Sequence, residues 1–146
     1  MSAEAVARAL LSVRPESQAP LTISSYQTAH GVCSDEYVQR AVGGTFCHLS
    51  GWQRVVERTW GHANHSLLAM RDGQVVGVLP LFHVQSRVFG SMLISSPNAV
   101  YGGVVADDQP ARLALLQRAK QVAEMSAHLG ALKDVGELMA LVAKAG

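Results

Sequence analysis

The chain has 146 residues, 49% hydrophobic and 16% charged, with a net charge of +1. That is the size and composition of one globular domain, and it argues against a disordered chain. Lysines and arginines are scattered singly, which gives no basic run for general nucleic-acid binding, and no apolar stretch reaches the roughly 20 residues of a membrane-spanning helix.

The N-terminal MSAEAVARALLSVRPES lacks the basic start and the small-residue cleavage site of a secretory signal. A cytoplasmic location is therefore expected, with Cys33 and Cys47 as reduced thiols. Residues 1–20 read as a mobile leader, in which Pro15 and Pro20 limit any helix to Ala3–Leu11. Leu21–Tyr26 is a short strand candidate. Ser34 is placed to cap a helix over Asp35–Val42, ended by Gly43-Gly44. Ser50 and Gln53 have the spacing of a capping box. The helix that follows carries Trp52, Val55, Val56, Thr59 and Trp60 on one face and stops at Gly61. That aromatic face is predicted to cover one side of a sheet.

The sheet centres on His65–Gly90. Asp72-Gly73 lies between two apolar runs, the strongest short-range hairpin signal, because a type I′ turn needs positive φ at both central residues. In the second run Val75, Leu79 and Leu81 alternate with Val76, Val78 and Phe82, so both faces are apolar and both are expected to be covered. Pro80 cannot donate to a ladder and marks an edge contact or a bulge. Ser91–Ser95 is a third strand. Asp107 or Asp108 caps a second long helix with Pro110 in its first turn. Leu115, Leu116, Ala119, Val122, Ala123 and Leu129 form its buried side, and Gly130 is its predicted stop. Ala131–Gly146 reads as a further short helix over Asp134–Lys144, weakened by Gly136. The expected architecture is α+β: a mostly antiparallel central sheet flanked by helices over residues 21–130, between the leader and a divergent segment 131–146.

Little in the chain has the spacing of a reactive site. His62-x-x-His65 has no cysteine or acidic partner at zinc spacing, and no metal site is expected. Cys47 and His48 are neighbours in an extended segment, where side chains point apart. His83 reads as a boundary histidine. Neither a Walker loop nor GxGxxG is present. Gly102-Gly103, after Tyr101, serves either to offer backbone amides to an anion or to make a plain tight turn. Tyr101 beside it can present both a ring face and a hydroxyl. Tyr101, Gly102 and Gly103 are therefore the candidate substrate-binding residues. No residue qualifies as a general base, so the catalytic residues are unassigned.

Phe46-Cys47-His48-Leu49-Ser50-Gly51-Trp52, Gly61-His62, Leu67-Leu68-Ala69, Asp72-Gly73, Gly77-Val78-Leu79-Pro80-Leu81, Ser86-Arg87-Val88-Phe89-Gly90 and Val100-Tyr101-Gly102-Gly103 follow one another in this order. In order and gaps they resemble FemAB-like proteins, closest to the branch linked to exosortase and exopolysaccharide loci. The resemblance covers about Leu21 to Gly130. It implies the first of two halves with a GNAT-type (acyl-CoA N-acyltransferase-like) fold. It also implies an N-acyl- or aminoacyltransferase acting on an amine of a cell-envelope precursor, of peptidoglycan or exopolysaccharide. The partners implied are that precursor, an aminoacyl or acyl donor and a second GNAT-like half. The acetyl-CoA loop of ordinary GNAT enzymes (Arg/Gln-x-x-Gly-x-Gly/Ala) is missing, so no CoA or other cofactor is expected. Family members continue beyond the Gly130 position with a strand and a second half. Segment 131–146 does not resemble that continuation, as a truncated or frameshifted end would not. The alternative function is a non-catalytic acceptor-binding module or an inactive remnant.

Overall fold

Among the described residues, two antiparallel sheets and three helices longer than two turns carry the fold, which is α+β. The computed structural model describes residues 2–6, 19–88, 90–97, 99 and 101–131, the last five as backbone. Strand β1 (Thr22–Ser25) is followed by helices α1 (Gly31–Arg40) and α2 (Ser50–Trp60). Then come strands β2 (Ala63–Asn64), β3 (Leu67–Arg71), β4 (Gln74–Leu79), β5 (Phe82–Ser86), β6 (Gly90–Ile94) and β7 (Val105–Ala106), and finally helix α3 (Gln109–Ala131). One sheet has the order β1-β3-β4-β7 and the other β2-β5-β6. Among the described residues, no helix is long and apolar enough to cross a membrane.

The β3–β4 hairpin forms where the sequence places it. Asp72 (φ 50°) and Gly73 (φ 71°) both take the left-handed conformation a type I′ turn requires. Both faces of the hairpin are buried. Leu68, Val75 and Val78 pack with Tyr37 and Val38 of α1, while Leu67, Ala69 and Leu79 pack with Ala111 and Leu115 of α3. The covering helix on the first face is thus α1 and not the aromatic helix α2.

The predicted alternation along β4 is broken once. Ala69 pairs with Gly77 but Met70 pairs with Val75, which leaves Val76 as an extra residue on β4. Such a bulge turns two successive side chains to one side. Val75 and Val78 therefore share a face, and Val76 joins Leu79 and Leu81 on the other. The bulge carbonyl is not wasted: Val76 O accepts from the Asp107 amide at 2.9 Å and from the Tyr37 hydroxyl at 3.1 Å. Tyr37 also bonds Asp107 Oδ1 at 3.1 Å. Burial and the Asp107 charge push the Tyr37 phenol well above its ordinary range.

Pro80 has a larger effect than an edge or a bulge. It is buried and ends β4, and β5 starts two residues later in the other sheet. The neighbouring strand changes sheet at the same level, between β2 and β3. Ser66 holds the two crossings together: its Oγ accepts from Leu81 N at 3.0 Å, and His65 N donates to Leu81 O at 2.8 Å. The third predicted strand appears as β6, paired with β5.

Helix α1 starts at Gly31, behind a 3-10 turn at Thr28–His30, and not at Ser34. Ser34 lies inside it, buried. Helix α3 is capped by Asp108, whose Oδ1 accepts from Ala111 N at 2.9 Å. Its buried positions include Ala111 and Leu115, whereas Leu116 is exposed and Gly130 lies within the helix. The leader is described at residues 2–6, with a helical turn at 3–6. Its residues 7–18, the Leu129 side chain and the predicted helix Asp134–Lys144 fall outside the described set.

Asp108 also forms a two-pronged ion pair with Arg71 at the end of β3. The Arg71 contact holds the Asp108 carboxyl below the ordinary carboxylate range against the opposing effect of burial, with help from the Ala111 amide. A carboxyl depressed on folding stabilises the fold fully above its unfolded pKa and loses that contribution as pH falls through its folded value. Asp108→Asn should therefore melt below the wild type at neutral pH, with the gap closing below about pH 4. Melting curves across that range test this, and a gap independent of pH would contradict it.

Candidate functional site

The segment Thr45–Ser50, leading into α2, is the hub of the candidate site. A 3-10 turn over Phe46–His48 buries Cys47 and His48 and exposes Phe46. His48 Nδ1 receives the Thr45 amide at 3.1 Å. An amide can only donate, so Nδ1 is an acceptor, the ring proton sits on Nε2, and Nε2 donates to Gly103 O at 3.0 Å. His48 thus ties the entrance of α2 to the loop that carries the predicted binding residues. His48 is a structural pin across 55 positions of chain, a role invisible to any local motif.

The loop itself is held closely. Gly103 N donates to Ser95 Oγ at 2.7 Å, and Gly103 has φ +95°, which a side chain would strain. A Cβ on Gly102 would lie 2.8 Å from Ser96 Cβ. Each glycine therefore has a packing reason. The Gly103 amide is used internally, so at that position the glycine pair serves the tight turn, the second of its two readings. Tyr101 stands 60% exposed at the start of this pinned turn.

Ser50 does not form the predicted capping box. It is the first residue of α2, and the cap comes from α1: Asp35 accepts Ser50 N at 2.7 Å and Ser50 Oγ at 2.6 Å. Asp35 supplies the negative charge that the first turn of α2 lacks. Gln53, freed from capping, accepts Asn64 Nδ2 at 2.9 Å.

The buried face of α2 is Ser50, Gln53 and Val56, so of the predicted face Val56 alone is buried. Phe46, Val55 and Trp60 are exposed and Trp52 half-buried. Phe46 and Trp52 meet edge to face at 5.3 Å, and Trp52 and Trp60 lie 6.3 Å apart. The periodicity located a stripe correctly but could not say whether another element covers it.

Beside the hub a polar cleft of about 310 Å³ opens between α2 and the segment after β1, lined by Tyr26, Thr28, Gln53, Arg54, Glu57 and Arg58 among others. Burial first, then the charge of Asp35, pushes the Tyr26 phenol above its usual pKa against a smaller opposing pull from Arg54, so it remains a protonated donor. Sequence reasoning missed this cleft, because its residues come from two elements and carry no spacing motif.

Comparison with family models, curated proteins and solved structures gives no match.

Of the histidines, His65 pairs with His83, ring centroids 6.1 Å apart, and not with His62. His83 Nε2 also contacts Ser91 Oγ. Among the described residues, no three histidine, cysteine or acidic side chains converge as metal ligands.

Proposed function

We propose that this chain is the N-terminal GNAT-like half of a FemAB-like N-acyl- or aminoacyltransferase, working in the cytoplasm on an amine of a cell-envelope precursor. Its own part is to hold the acceptor, and a second GNAT-like half supplies the remainder of the active cleft. In that reaction the acceptor amine attacks the donor's activated carbonyl, and the new amide bond replaces the bond from that carbonyl to its carrier. The carrier leaves with the proton the amine gives up, and a binding half contributes by positioning. The reading is supported by the order of elements: a strand, two helices, an antiparallel hairpin with both faces covered, then a long helix. The observation that carries the acceptor role is Tyr101, a large exposed ring on a loop fixed at Gly103 by His48 and Ser95.

The test is a titration of isotope-labelled protein with a soluble peptidoglycan precursor bearing a free amine. Saturable shifts around residues 101–103 are expected, and Tyr101→Ala should weaken binding about tenfold, the effect of losing one aromatic anchor. Unchanged affinity in Tyr101→Ala, or no binding by the wild type, would remove the acceptor role.

A further inference from the structure

The polar cleft beside α2 has a polarity that its hydrogen bonds decide. Ser66 N donates to Asn64 Oδ1 at 2.9 Å. That fixes the Asn64 oxygen and leaves its Nδ2 to donate to Gln53 Oε1. The Gln53 amide nitrogen is then the free end, although the residue is only 4% exposed. That nitrogen is not among the buried atoms left without a partner, and it makes no hydrogen bond among the described residues. It therefore opens on the cleft as a fixed donor at its floor.

Three charges stand around this donor. Arg54 and Arg58 are one helical turn apart, a like-charge spacing that destabilises a helix. Neither makes a salt bridge with Glu57 or with any other described residue. Glu57 lies four residues from Gln53 and three from Arg54, spacings that set Cβ atoms roughly 5–6 Å apart on a helix surface. Donors and an acid lining one small cleft can take the two ends of a small molecule that carries both a carboxylate and an ammonium. The cleft volume of about 310 Å³ is at the small end of ligand sites.

We propose that this cleft binds the zwitterionic head of an α-amino acid, its carboxylate on the Gln53 amide and Arg54, its ammonium on Glu57. Arg58 adds to the field at the carboxylate. A phosphate would find the same donors, but Glu57 would repel it. The proposal does not rest on the acceptor role of Tyr101.

The probes are L-alanine, N-acetyl-L-alanine, L-alaninamide and inorganic phosphate, titrated into the whole 146-residue chain and followed by backbone amide shifts. L-Alanine should shift residues 26–28 and 50–58 saturably. Capping either end of it should weaken binding about tenfold or more, the loss of one charge-assisted contact. Arg54→Gln and Glu57→Gln alter exposed positions, and melting curves will confirm that both fold. Each should weaken L-alanine binding about tenfold, and Glu57→Gln should also remove the discrimination against N-acetyl-L-alanine. Tyr101→Ala should leave L-alanine binding unchanged. No saturable shift with L-alanine would overturn the proposal. So would phosphate binding as tightly as L-alanine with Glu57→Gln indifferent to both.

Discussion

Gly77→Val is expected to destabilise the fold by about 3 kcal/mol, the upper part of the range for overpacking a well-filled core. Gly77 is buried in β4, next to the Val76 bulge, where the strand passes under α3. A Cβ there would lie 2.9 Å from Leu115 Cδ1 and 3.3 Å from the Cβ atoms of Ala69 and Ala106. Leu115 is fully buried and cannot swing into solvent. Valine's better strand propensity returns at most about 1 kcal/mol, so the clash decides the sign. Urea unfolding should show a lower midpoint at unchanged slope. Gly77→Ala should be milder, and adding Leu115→Val, which removes the nearest methyl, should make the double variant less destabilised than the sum of the singles. A Gly77→Val protein as stable as the wild type would mean that α3 does not close over this strand.

His48→Ala should be comparably damaging, at about 3 kcal/mol, for a different reason. It leaves a cavity at a site 1% exposed and strands the Thr45 amide and the Gly103 carbonyl without partners. Unmet buried polar groups each cost about 1–3 kcal/mol. His48→Gln is the informative companion: its amide nitrogen can still donate to Gly103 O, while the contact to Thr45 is weakened. It should recover part of the melting temperature and most of the hydrogen-exchange protection at the Gly103 amide. Equal exchange at Gly103 in wild type and His48→Ala would show that the loop does not depend on this histidine.

What the sequence revealed and what it hid divide by distance along the chain. Asp72-Gly73 needs positive φ within four residues, and Gly61 takes φ 67° to end α2 as expected. Asp108 and Pro110 mark the start of α3 as expected. Asp35 serves the first turn of a helix other than its own, 15 residues further on, beyond the reach of a local motif. The bulge at Val76 depends on Tyr37 and Asp107, neither of which is near it in the chain. The aromatic stripe of α2 is legible as a stripe but not as an uncovered one, because periodicity reports a side of a helix and says nothing about its cover. Of the candidate site, the loop at Tyr101 is marked in the sequence by its glycine pair, and Gly103 takes φ +95° there. The His48 pin and the polar cleft were not, since both are made by residues that meet only in the folded chain.

The link from Ser66 through Asn64 to Gln53 gives strand pairing an electrical meaning. Each amide in that relay has two orientations in principle, and one backbone N–H at the edge of β3 selects between them. A slip of one residue there would turn Ser66 to the opposite side of the strand. Asn64 would be free to reverse, and the floor of the cleft would change from donor to acceptor without any change of sequence. The sign of the group at the floor is therefore written in the registry of two strands, and a correctly zipped sheet is what makes the cleft attract an oxyanion.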